Sequence, residues 1–97
     1  MTKMRAHQLR LYVVRGTPNS LRAEQNLRSA LTVIGAAATA CDPEIIDVIN
    51  NSSLAMSDGV IVTPTLIGRS GVWRQIILGD LSDATRLQLF LNTLLSI

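Results

Sequence analysis

The segment Val60-Ile61-Val62-Thr63-Pro64-Thr65-Leu66-Ile67 restricts the fold of this chain more than any other stretch. It is apolar enough for a buried strand, yet proline has no N–H to give to a ladder, so a central strand cannot run through it. Pro64 therefore belongs at the start of a strand or on a sheet edge. Arg69-Ser70-Gly71 follows as a hairpin turn, and Trp73 to Leu78 reads as the returning strand.

Upstream, His7 to Val14 alternates Leu9, Leu11 and Val13 with Gln8, Arg10 and Tyr12, the period of a strand with one buried face. Thr17-Pro18 opens a helix, since threonine can cap and proline suits the first helical position. Leu27, Ala30, Leu31 and Ile34 follow at helical spacing, Glu24 and Arg28 form an i,i+4 pair, and Gly35 is a stop. After Pro43, Glu44 to Ile49 is a short apolar run suited to a buried strand. Asn50 to Ser53 caps a brief helical piece around Leu54 to Ser57, which Asp58-Gly59 breaks. Strand, helix, strand, helix in this order predicts parallel pairing with right-handed crossovers. Gly79-Asp80-Leu81-Ser82-Asp83 leads into the last helix, with Ser82 as cap and Leu87, Phe90, Leu91 and Leu94 as its apolar stripe. The order is βαβαββα, one α/β domain over residues 1–97.

Composition removes several classes of function. With 47% hydrophobic residues the chain can build a core without disulfides, and with one cysteine, Cys41, it has none to form within itself. Tyr12, Trp73 and Phe90 are the only aromatics, too few for a base-stacking surface. Nine basic residues face seven acidic ones without a dense basic run, which argues against nucleic acid as partner. His7 is the one histidine, so neither a metal site nor a nucleophile–base set is expected. Glu44 and Asp47 fall on opposite strand faces and cannot act as a carboxylate pair. No cofactor motif is present, and the chain does not read as an enzyme. There is neither a signal-peptide core nor a membrane-length apolar stretch, which predicts a cytoplasmic location.

The element order, with an apolar run broken by Thr63-Pro64-Thr65 ahead of a hairpin, is similar to thioredoxin. That resemblance implies a cis Thr63–Pro64 bond and redox cysteines between the first strand and the first helix. Here that loop reads Arg15-Gly16-Thr17-Pro18-Asn19-Ser20. Hydroxyls cannot exchange disulfides, so thioredoxin chemistry is absent from it. Cys41 lies downstream, beside the second strand, and leaves open a separate redox reading.

Four blocks taken together, Leu11 to Ala23, Ile46-Asp47-Val48, Thr63-Pro64-Thr65-Leu66 and Gly79 to Asp83, resemble the KaiB family from Leu9 to Leu95. The family implies a non-enzymatic circadian-clock regulator. Such a regulator binds the ATPase ring of KaiC, sequesters KaiA and displaces a sensor histidine kinase whose input domain shares this fold. It also implies two folds for one sequence: a thioredoxin-like monomer and a tetrameric ground state with a rearranged C-terminal half, which leaves monomer, dimer and tetramer open. Helical Ser82 to Leu95 and strand-like Trp73 to Leu78 favour the thioredoxin-like fold. By position, the resemblance implies partner contacts at Asn19, Ser20 and Arg22, and fold-switch or structural roles for Thr63, Pro64, Gly79, Asp80 and Asp83. Met56-Ser57-Asp58-Gly59, Arg69 to Trp73 and Asp42-Pro43 depart from the usual family pattern. They mark a divergent member, for which a non-clock signalling or stress pathway is the alternative.

Overall fold

The computed structural model describes residues 7–35 and 42–96. Cys41 lies outside them. The elements run β1 (Gln8–Val13), α1 (Pro18–Ile34), β2 (Glu44–Asp47), α2 (Ser52–Ser57), β3 (Thr65–Ser70), β4 (Trp73–Leu78) and α3 (Ala84–Ser96). This is the expected βαβαββα order. The four strands form one sheet in the order β2-β1-β3-β4.

β1 and β2 pair in parallel, as a strand–helix–strand unit requires. The parallel expectation ends there, because β3 runs antiparallel to β1 and β4 antiparallel to β3. A six-residue α2 followed by the Gly59–Pro64 stretch brings the chain back at the same end of the sheet it left.

Pro64 sits directly before the central strand β3, joined to Thr63 by a cis bond. The strand begins at Thr65 and not at Val60, and Val60 to Thr63 form an irregular approach in which Ile61 and Val62 are exposed. Arg69 and Ser70 belong to β3, and the hairpin turns on Gly71 and Val72, with Gly71 at φ +60°. β2 stops at Asp47 and not at Ile49, because the Asp47 carboxylate accepts the Ile49 N–H at 3.2 Å and the Asn50 amide at 3.1 Å. These bonds turn the chain before the run is complete.

The main core lies between one sheet face and the pair α1 and α3. Leu9, Leu11, Val13, Leu66 and Ile77 meet Ala23 and Leu27 from α1 and Leu87, Leu91 and Leu94 from α3. Gly68 makes the packing possible at the edge of this layer. A Cβ there would stand 2.8 Å from Phe90 Cζ and 3.3 Å from Trp73 Cζ3. The two rings tilt against each other with centroids 5.7 Å apart.

The opposite face is partly covered as well, by α2. Tyr12, Ile46, Ala55 and Ile67 form a second, smaller cluster there. The face of β1 read as polar is thus buried at Tyr12, which is 0% exposed.

Candidate functional site

α1 begins one residue after Thr17, which holds the N-cap position with extended backbone. Its hydroxyl does not cap the helix but donates to the Val14 carbonyl at 2.8 Å. Ser20 is buried and accepts the Val14 N–H at 3.1 Å. The two side chains therefore staple the β1–α1 loop to the first helical turn, where a thioredoxin would carry its sulfurs.

On the outer side of the same turn the Arg22 guanidinium donates to Asn19 Oδ1. Its Nε lies 3.4 Å from Asp80 Oδ2, across a sequence gap of 58 residues. Asn26, one helical turn further on, donates from its amide to the Asp80 carbonyl at 2.9 Å. Hydrogen bonds from Ser82 first, and then from Arg22, hold the Asp80 carboxyl below its usual range, against a smaller opposing effect of desolvation. Asn19, Arg22 and Asp80, placed separately along the sequence, are thus one exposed polar corner, and Asn26 completes it.

The segment behind that corner is held tightly. Gly79 has φ +101° and donates its N–H to the Pro64 carbonyl at 2.9 Å. Leu81 is buried with φ +64°, a left-handed conformation that costs a leucine about 1–2 kcal/mol. The Asp80 carboxylate accepts the Ser82 N–H at 3.1 Å, making the turn that permits this. The cap of α3 is Asp83 and not Ser82: its carboxylate accepts the N–H of Arg86, the third helical residue, at 3.0 Å. Ser82 stands one residue before the cap position, where its N–H donates to the Asp80 turn. Thr63 and Ser20 take no part in the corner.

A second polar assembly, not anticipated from the sequence, lies on the α2 face. Asp58 follows α2 and is 6% exposed. Its carboxylate accepts from Tyr12, from Arg10 at 3.0 Å and from Arg69 at 2.7 Å, while its carbonyl accepts from Arg74 at 2.8 Å. Burial alone would raise its pKa, but the hydrogen bonds from Tyr12, Arg69 and Arg10 outweigh that and hold it at about 2. Burial, reinforced by Asp58, pushes the Tyr12 phenol up to about 12. Desolvation would lower the pKa of Arg10, yet Glu44 and Asp58 overcome it and raise it. The carboxylate of this one residue thereby ties β1 and β3 to the end of α2, and its carbonyl adds β4. Among the described residues no group of three His, Cys, Asp or Glu side chains forms a metal site. No helix among them is long and apolar enough to cross a membrane.

The family described as KaiB domain matches residues 10–93. The chain belongs to the KaiB family. It is 36% identical over 94 residues to the circadian clock oscillator protein KaiB of Synechococcus elongatus, covering 97% of this chain and 90% of that one. It is 37% identical to the protein of the same name from Parasynechococcus marenigrum, covering 97% and 88%. Among solved structures it is similar to the N-terminal domain of Synechococcus elongatus SasA, with a TM-score of 0.75 at 22% identity, covering 99% of this chain and 89% of that one. A Malassezia sympodialis thioredoxin gives a TM-score of 0.76 at 13% identity, covering 93% and 76%. These two likenesses concern the fold: this KaiB-family chain has the thioredoxin-like arrangement, without a sulfur in the β1–α1 loop.

Proposed function

We propose that this chain is a non-catalytic regulator of a KaiB-type clock or timing system, acting by binding a KaiC-type ATPase. The observation that supports this most is the exposed corner of Asn19, Arg22 and Asp80, which joins the start of α1 to the β4–α3 loop in a chain 36% identical to a clock oscillator protein. Arg22 is the residue for contact, since its side chain is 53% exposed and its guanidinium has donors left for a carboxylate. Asn19 and Asp80 orient it. Ser20, buried beneath, sets the loop that presents Asn19. KaiA or a sensor histidine kinase is a further partner in this reading, which treats residues 1–97 as one cytoplasmic KaiB-like domain.

The segment from Gly79 to Asp83 is where a change of fold would start. Its left-handed Leu81 is a local cost, offset by the Gly79–Pro64 hydrogen bond, the Asp80 turn and the Asp83 cap. Thr63 leads into the same junction.

The test is co-elution of the purified chain with its cognate KaiC-type ATPase in the presence of ATP and, separately, ADP. A stable complex in at least one nucleotide state is expected. Absence of a complex in both would reject the proposal, and a complex with a histidine kinase alone would move the chain to a non-clock pathway.

A further inference from the structure

The two edges of the sheet are built differently. β2 is a four-residue edge that follows Pro43 and ends in the Asp47 turn, features that discourage a further strand. β4 is a six-residue edge with no proline, and its pairing to β3 runs without a bulge from Ser70↔Trp73 to Thr65↔Leu78. The Gly79 N–H bonds to Pro64 in register with this ladder, so the residues alternating with it, Leu78, Ile76 and Arg74, turn their N–H and C=O groups outward.

A groove lies on each side of that edge. One, of about 500 Å³, is lined by Ile61, Val62, Ile76, Leu78 and Arg86, among others. The other, of about 220 Å³, is lined by Trp73, Gln75, Ile76, Leu89, Phe90 and Arg86, among others. Ile76 and Arg86 belong to both. Ile61, Leu78 and Leu89 are exposed apolar side chains here, Ile61 at 92%. A strand laid along β4 would direct successive side chains to opposite faces, hence alternately into the two grooves.

Charge selects the strand. Arg74 and Arg86 border the edge, and neither makes an ion pair among the described residues. A second copy of this chain pairing through β4 would bring both arginines of each copy to one seam, where like charges repel. We propose that the β4 edge is a docking site for an extended segment of a partner protein, apolar at alternate positions and carrying a carboxylate that meets Arg86. The site is separate from the Arg22 corner and does not depend on the reading given to that corner.

The probe is a nine-residue peptide, acetylated and amidated, alternating valine and threonine with a central glutamate. It is titrated into the full chain and followed by two-dimensional amide NMR. Saturable shifts are expected at Arg74, Ile76 and Leu78. A lysine in place of the glutamate should weaken binding about tenfold, and the Arg86→Glu variant should reverse that preference. N-methylation of the peptide along one edge should abolish binding while leaving its side chains unchanged. The proposal is overturned if no shifts appear at ~1 mM peptide, a concentration that half-fills a site with a Kd of about 1 mM. It is equally overturned if the shifts map elsewhere, if the methylated peptide binds as well, or if sedimentation shows the edge already closed in a self-dimer.

Discussion

At the scale of single residues, Asp58 does the most with the least. It is one buried acceptor for three side chains and, through its carbonyl, a fourth. Asp58→Ala leaves Arg69 without its carboxylate and Arg10 with Glu44 alone, and should destabilise the fold by about 3 kcal/mol in urea denaturation. Its depressed pKa fixes the sign of the pH dependence. A carboxyl at about 2 in the fold, against 3.8 when free, adds stability that is present above about pH 4 and is lost as the pH falls through 2. The loss is about 2 kcal/mol, and the acid limb should flatten in the alanine variant. Tyr12 works in the opposite range: its raised phenol favours the neutral form, so its contribution holds below pH 10 and disappears as the pH rises through about 12. None of this was legible in the sequence. Arg10, Tyr12, Asp58, Arg69 and Arg74 are spread over most of the chain, and alternation assigned the β1 members to a solvated face. Gly68 was equally silent, yet Gly68→Ala should cost about 1–3 kcal/mol, because the new methyl meets Phe90 at 2.8 Å.

At the scale of elements, the sequence and the structure agree wherever a local rule has no competitor. The apolar stripe of α3, the Gly35 stop of α1 and a proline confined to a strand's start or an edge are local facts and readable, whereas the central place of the strand that follows it comes only from the fold. Boundaries failed where one polar side chain chose between two backbone partners. Ser82 and Asp83 are both residue types that cap helices, and with α3 starting at Ala84 it is the Asp83 carboxylate that takes the N–H of the third helical residue. Asp83→Ala should therefore lower stability by about 1 kcal/mol and speed hydrogen exchange at the Arg86 amide, whereas Ser82→Ala should leave that amide protected. α1 carried a readable signal that polarity concealed. Ser20, Ala23, Leu27 and Ala30 form its buried face at helical spacing, but a serine does not look like the first member of an apolar stripe. Half of the candidate site was visible in this way: the positions Asn19, Arg22 and Asp80 came from family resemblance, and their convergence came only from the fold.

At the scale of the whole molecule, a thioredoxin-like sheet has kept its proline junction while its β1–α1 loop carries hydroxyls in place of sulfurs. Ser20 and Thr17 use those hydroxyls to fix the loop, and Arg22 is exposed beside it. The β3–β4 hairpin sets Gly79 against Pro64, and the antiparallel pairing of β3 with β1, where a repeat of the first unit would be parallel, places that junction beside the start of α1 and so Asp80 beside Arg22. The most direct measurement is the affinity of the KaiC-type ATPase for the wild-type chain and for Arg22→Ala, taken side by side with their melting temperatures. Binding should be at least about tenfold weaker for the variant, with an unchanged melting temperature because Arg22 is exposed. Equal affinity for the two chains would contradict it.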